Sequence, residues 1–298
     1  MTLASCDSRK TAGENPFFTE WDTPHGVPPF DKILPEHFMP AFERGMSLHE
    51  AEIDAITSNK DEATFENTIL AYDNAGQMLA QTELVFGMLC AAETNDRMQA
   101  LQEQAMPLLA AHRDKIRLDD KLFVRVKEVY DRRAALGLDA EQMRLLQKTY
   151  DSFVRAGALL DAEQKARLKE INGQLSLTAV KFGNNILAEN NNFVLELKSD
   201  ELDGLPAGIR DAAREKAQQM GKGDKWVFTL HKPSLIPLLT YSTRRDLREK
   251  IYKAYLNRCN NGDEYDNKQL INDFIRLRTE KALSLIHISE PTRHAQIS

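Results

Sequence analysis

Cysteine is scarce in this sequence. Its 298 residues contain three, Cys6, Cys90 and Cys259, widely separated and without a CxxC or Cys/His cluster. That excludes a disulfide framework and a cysteine-ligated structural zinc. Cys90 falls on the apolar face of a predicted helix and reads as a small core residue. Long apolar runs are missing too, since none approaches the roughly 20 residues of a membrane-spanning helix. Nor is there a basic excess. The net charge is −6 with the signs interspersed, whereas a nucleic-acid binder needs a clustered basic face.

What the chain does have is 42% hydrophobic and 28% charged residues, the balance of a globular chain rather than a disordered one. Its length accommodates one large or two ordinary domains. Phe17, Phe18, Trp21 and Phe30, threaded among prolines, read as an extended arm pinned by aromatics. Pro35 opens a helix through Phe38, Phe42, Ile53 and Ile56, with an interruption expected near Pro40 or Gly45. Thr64 caps a helix with Phe65, Ile69, Tyr72, Leu79, Phe86 and Cys90 along one side. Continuous to Ala92, it would be about 42 Å long. The Thr94-Asn95-Asp96 turn starts another, kinked at Pro107 and ending near Leu118. Asp119 or Asp120 starts a third, burying Leu122, Val126, Val129 and Tyr130 until Gly137 stops it.

Two near-identical helix starts follow, Asp139-Ala140-Glu141-Gln142 and Asp161-Ala162-Glu163-Gln164, each a variant of the capping box. They launch helices through Met143, Leu146, Tyr150 and Phe153, and through Leu168, Ile171, Leu175 and Phe182. The asparagine-rich stretch Asn184 to Asn192 is expected to end the second, because asparagine tolerates the left-handed conformation of helix C-termini. A further helix covers Ile209 to Met220. A final one begins near Asp266 and runs to Ala282.

The helical pattern breaks within Lys225 to Arg258, KWVFTLHKPSLIPLLTYSTRRDLREKIYKAYLNR, and the chain is organised around this stretch. Trp226 to Thr229 are β-prone, and Phe193 to Leu197 is the natural partner strand. Pro233 and Pro237 punctuate a short apolar segment. Ser242 or Thr243 can cap a helix that buries Leu247, Ile251, Ala254 and Tyr255 while sending Arg244, Arg248 and Lys250 outward. The strand, the proline-bounded step and the RRDLREKIYKAYLNR helix resemble the region entering the catalytic half of thimet-oligopeptidase/neurolysin-like zinc metallopeptidases, bacterial peptidyl-dipeptidases above all. Phe65-Glu66-Asn67-Thr68-Ile69, preceded by Pro28 to Met46, agrees, and the similarity runs from about Asn15 to Ala282.

The resemblance implies an all-α fold, the helical N-terminal half of such a peptidase with a small two-stranded β insertion. It implies a helical domain over 15–190, the truncated beginning of the catalytic region over 191–282, and a helical wall of a channel that admits short peptides. By this resemblance the intact enzyme would be a zinc hydrolase that releases carboxy-terminal dipeptides with a metal-activated water. Such an enzyme needs HExxH on a helix. The His-Glu pair here is His49-Glu50, and Ile53 stands where the second histidine is required. The expectation is therefore no catalytic residue, no metal ligand and no zinc in this chain, with His49 exposed. His25, His37, His112 and His231 read as lone surface or locally bonded groups. Gly221 to Lys225 follows a helix and precedes a strand, the reverse of a phosphate loop, and reads as a tight turn. The arginine-rich helix 244–258 reads as a solvated face balanced by Asp246 and Glu249. The chain is expected to be a monomer, with Leu270, Phe274 and Leu277 facing a surface in the missing half. The competing class, a non-catalytic helical binding or scaffold module, would show a repeat of 20–50 residues. The unequal helices and single strand insertion disfavour it.

The two ends stand apart. Residues 1–14 lack apolar periodicity and read as a disordered start. Leu3-Ala4-Ser5-Cys6 has the form of a bacterial lipobox without the apolar segment that should precede it. As written the chain has no export signal and would be cytoplasmic; with a signal peptide upstream of Cys6 it would be a cell-envelope lipoprotein. Leu283 to Arg293, LSLIHISEPTR, resembles a translated sequencing-library adapter. Residues 283–298, with His287 and His294, are read as a non-native tail.

Overall fold

In the computed structural model residues 15–286 are described, and they form two compact units, 15–177 with 279–286, and 178–278. The lipobox-like start with Cys6, and the tail from residue 287 with His287 and His294, lie outside the described residues.

In the first unit the aromatic arm is tied down at its beginning. Asn15 donates to the His37 carbonyl at 2.9 Å and Trp21 Nε1 to the Pro16 carbonyl at 2.9 Å. Phe17 is buried against Phe38, whereas Phe30 remains 40% exposed. Helix α1, Pro35–Ser58, runs through both expected breaks. Pro40 deprives only the Glu36 carbonyl of its helical partner, and Glu36 lies exposed in the first turn, where water can replace the bond. Gly45 is a contact point instead of a break. A Cβ there would lie 3.0 Å from the Leu79 Cα, so glycine lets the two backbones approach closely.

The single helix expected from Phe65 to Ala92 is broken. A π-helical turn, Phe65–Leu70, leads into the short α2, Ala71–Asp73, and α3 starts afresh at Gln77–Ala92. The break is Gly76, at φ +74°, whose N–H donates to Glu52 at 2.7 Å. Helix α4, Asp96–Arg117, is capped by Asn95 and continues through Pro107. Helix α5, Asp120–Asp131, is capped by Asp119 and ends before Gly137. A 3-10 turn, Arg133–Ala135, intervenes after Arg132 turns back to the Ala63 carbonyl and Glu62. Helices α6, Ala140–Ala156, and α7, Ala162–Asn192, both start on reciprocal Asp/Gln caps as the sequence predicts, with bonds of 2.8–3.2 Å.

Two apolar clusters hold this unit. Phe38, Phe42, Phe86 and Leu109 anchor one, and Ile69, Leu122, Val126, Leu146 and Phe153 the other. Each such side chain contributes roughly 1.5–3 kcal/mol by leaving water.

The second unit contains the two predicted strands, β1 Leu195–Leu197 and β2 Trp226–Phe228, antiparallel with Leu195 opposite Phe228 and Leu197 opposite Trp226. Helix α8, Ala207–Gln219, lies between them in sequence. The proline-punctuated segment is a helix, α9 Lys232–Tyr241, with Pro233 in its first turn, where a missing N–H costs nothing. Helices α10, Arg245–Leu256, and α11, Lys268–Glu280, follow. Neither Ser242 nor Thr243 caps α10, whose N-cap is Arg244: Ser242 accepts the Arg244 N–H at 3.3 Å, outside the helix, and Thr243 turns to Asp203.

Helix α7 runs through the asparagine-rich stretch and ends at its last residue, Asn192, without an asparagine in the left-handed conformation that the sequence predicts as its stop. Asn185 donates to Asn267 at 2.8 Å, and Asn190 accepts from Arg258 at 3.1 Å. With tertiary partners, these side chains do not compete for the helix backbone. Helix α11 buries Leu277 and leaves Ile271 and Ile275 exposed. The open apolar face is therefore in a different register from the expected Leu270, Phe274 and Leu277. A π-helical turn, Lys281–Ile286, follows α11. The fold is all-α with one small two-stranded sheet, as the resemblance implies.

Candidate functional site

The FENTI motif folds as a hydrogen-bonded clamp. Asn67 Oδ1 accepts from the Thr64 N–H at 2.8 Å, from the Thr68 hydroxyl at 2.8 Å and from Arg125 Nη2 at 3.1 Å. Its amide donates to the Glu62 carbonyl at 2.9 Å. Arg125 is buried, and its Nη1 also donates to the carbonyls of Asn59 and Asp61 at 3.0 and 3.2 Å. A guanidinium with several donors satisfies a loop of carbonyls that would otherwise be stranded. The motif thus holds the Asn59–Thr64 loop against α5.

His49 does not stand exposed on α1, and His112 is not a lone histidine. His112 is 5% exposed, and its Nε2 lies 3.1 Å from His49 Nδ1. On the other edge of the ring, His112 Nδ1 lies 3.5 Å from Glu50, which also holds Lys115 at 2.8 Å. The tautomers that suit these contacts have His49 Nδ1–H donating to His112, and His112 Nδ1–H facing the carboxylate. Burial is the main cause that lowers both imidazoles below their ordinary pKa of 6.5, and for His49 the neighbouring His112 adds to it. Glu50 is held below the usual carboxylate range chiefly by its Lys115 hydrogen bond. Gly76 makes room for the pair, since a Cβ there would sit 2.9 Å from His49 Nδ1.

This cluster does not fit a zinc site. Glu52 is committed to the Gly76 N–H, Ile53 supplies no ligand, and Glu50 is on the far side of His112 from His49. No group of three or more His, Cys, Asp or Glu among the described residues is arranged to hold a metal. The burial of His112, though not its partner, is legible in the sequence, because Ala105, Leu109, His112 and Ile116 share one apolar stripe of α4.

The remaining candidates are local. His37 accepts the Leu34 N–H at 3.1 Å, His231 meets the Thr229 hydroxyl at 3.2 Å, and His25 is exposed. Gly221, at φ +69°, and Lys222 close the end of α8 by donating to the Gln218 and Ala217 carbonyls. Several cations on and beside α10 are engaged locally. Arg244 pairs with Asp246 at 2.7 Å and Lys253 with Glu249 at 2.5 Å, while Arg258 lies over the Tyr255 ring. Cys90 and Cys259 are free, and burial pushes both thiols up to about 11, so neither is a nucleophile near neutral pH. No helix among the described residues is long and apolar enough to cross a membrane.

No family model matches the chain. Among curated proteins, it is 35% identical over 272 residues to a dipeptidyl carboxypeptidase of Escherichia coli (strain K12), a match covering 91% of this chain and 40% of that protein. It is 33% identical over 265 residues to a dipeptidyl carboxypeptidase of Salmonella typhimurium, covering 89% of this chain and 39% of the relative. Oligopeptidase A of Escherichia coli is 26% identical over 265 residues, covering 87% and 39%. The chain therefore spans about 40% of the length of these relatives.

Proposed function

Belonging as it does to the family of dipeptidyl carboxypeptidases and oligopeptidases A, this chain is, we propose, the N-terminal helical part of a zinc peptidyl-dipeptidase. The observation that carries the reading is the 35% identity maintained over 91% of the chain but only 40% of the relative. On this reading the helices form part of the wall around a cleft for short peptides, over 15–190, and the entry to the catalytic region, over 191–282. Zinc would supply a water activated for attack on the peptide bond. Its ligands belong to an HExxH helix in the remainder of the polypeptide, and the residues present here neither hold the metal nor move its protons. Residues 283–298 are, on the same reading, foreign to the natural protein.

The test is direct. The pure 298-residue chain is incubated with short peptides with and without a chelator, and its zinc content is measured. No hydrolysis and no stoichiometric zinc are expected, and the gene downstream of the Ala282 codon should encode HExxH. Chelator-sensitive peptidase activity in the pure chain would overturn the assignment of the chemistry to the missing part, and a stop codon without HExxH would overturn the family role.

A further inference from the structure

On the first unit, the face of α6 turned away from the core forms one side of a cleft of about 480 Å³. Arg144, Lys148 and Arg155 line it, and at 100° per residue they fall within a stripe about 40° wide. Leu146, Thr149 and Phe153, on the other side of the helix, are buried. Arg117, the last residue of α4, and Lys281, bonded to Asn172 at 2.7 Å, add two more cations to the lining.

Only two carboxylates share the cleft, and both are occupied. Asp151 accepts from Gln147 at 2.9 Å, and Asp114 accepts from Asn172 through both oxygens at 2.8 and 3.0 Å. Among the described residues, Arg144, Lys148 and Arg155 make no ion pair. Cations elsewhere on the chain are commonly paired, as with Lys127 and Asp131, Lys222 and Glu196, or Lys253 and Glu249. Like charges at i and i+4, here Arg144 and Lys148, also weaken a helix. Arg144, Lys148 and Arg155, converging with Arg117 and Lys281 on one concavity in a chain whose net charge is −6, thus form a local concentration of positive charge.

We propose that this cleft binds a compact multivalent oxyanion, a small molecule with two or more phosphate or carboxylate groups. Guanidinium forks match the paired oxygens of either group, and the lysines add point charge. A cleft of this size takes a small molecule in the usual range of ligand sites. The inference is independent of the peptidase reading, because none of these residues belongs to the histidine pair or the FENTI clamp.

The test is calorimetric titration of the whole chain with pyrophosphate and, separately, with citrate, at low and moderate ionic strength. Saturable one-to-one binding of at least one of them is expected, and the ratio of their affinities identifies phosphate or carboxylate as the preferred group. The exposed triple reversal Arg144→Glu, Lys148→Glu, Arg155→Glu should weaken that binding at least about tenfold, while Lys250→Glu on α10 leaves it unchanged. Circular dichroism confirms that each variant folds, and if the triple variant does not, Arg144→Gln with Arg155→Gln serves in its place. Absence of saturable binding overturns the proposal. So does undiminished affinity in the folded reversal variant, or uptake only of long polyanions such as DNA.

Discussion

At the scale of single residues, Arg125 carries the most structural consequence. It is a buried cation with no carboxylate partner among the described residues, held by the carbonyls of Asn59 and Asp61 and the side chain of Asn67. Truncating it strands those acceptors in the interior. Arg125→Ala is expected to cost about 3 kcal/mol, measured by urea denaturation. Asn67→Ala should be similar, and the double variant should lose clearly less than the sum of the two. Additive losses would mean the clamp is not a unit. The paired histidines make a second prediction. Both have pKa values lowered on folding, so below 6.5 the unfolded chain binds more protons than the folded one. Stability present above 6.5 is therefore lost as the pH falls toward the folded values. The urea midpoint should drop between about pH 7.5 and about pH 5.5, and His112→Leu should flatten that slope.

At the scale of elements, caps were legible and interruptions were not. Asp139 with Gln142 and Asp161 with Gln164 start helices by bonds made within four residues, so a sequence reading finds them. Pro40 and the asparagines within α7 look like breaks by the same local rules. They are overridden by an exposed first turn and by Asn267 and Arg258, which lie far along the chain. The converse holds at Gly76, where apolar periodicity continues but the helix stops. Gly76 and Gly137 both have positive φ, +74° and +63°, yet a Cβ at Gly137 meets open space while one at Gly76 meets the His49 ring. Gly137→Ala should cost about 1 kcal/mol for backbone strain alone. Gly76→Ala should cost at least about 1 kcal/mol more, because it also displaces His49. Equal losses in thermal or urea unfolding would show that the ring yields freely.

At the scale of the whole molecule, two compact units carry a sequence related over nine-tenths of its length to peptidases more than twice as long. The family resemblance rested on FENTI and on the stretch from the second strand through the arginine-rich helix. Both prove to be architecture. The first is the Arg125 clamp, and the second is the β1–β2 pair with α9 and α10 packed through Leu235, Leu238, Leu247 and Ile251. Motifs of this kind identify a relative because its packing demands them, and they remain readable where the described residues form no group of three or more potential metal ligands.

The sequence by itself determined the capped helix starts at Asn95, Asp119, Asp139 and Asp161, the strand pair, the all-α class and the peptidase kinship, since each depends on residues near one another in the chain or on a motif read in order. Only the tertiary structure decided that His49 meets His112, that Arg125 fills the loop beneath FENTI, and that the cations of α6 face a cleft shared with Arg117 and Lys281. Those meetings join residues dozens of positions apart. Their electrostatics and desolvation depend on which faces the packed core leaves together, and no local pattern encodes that.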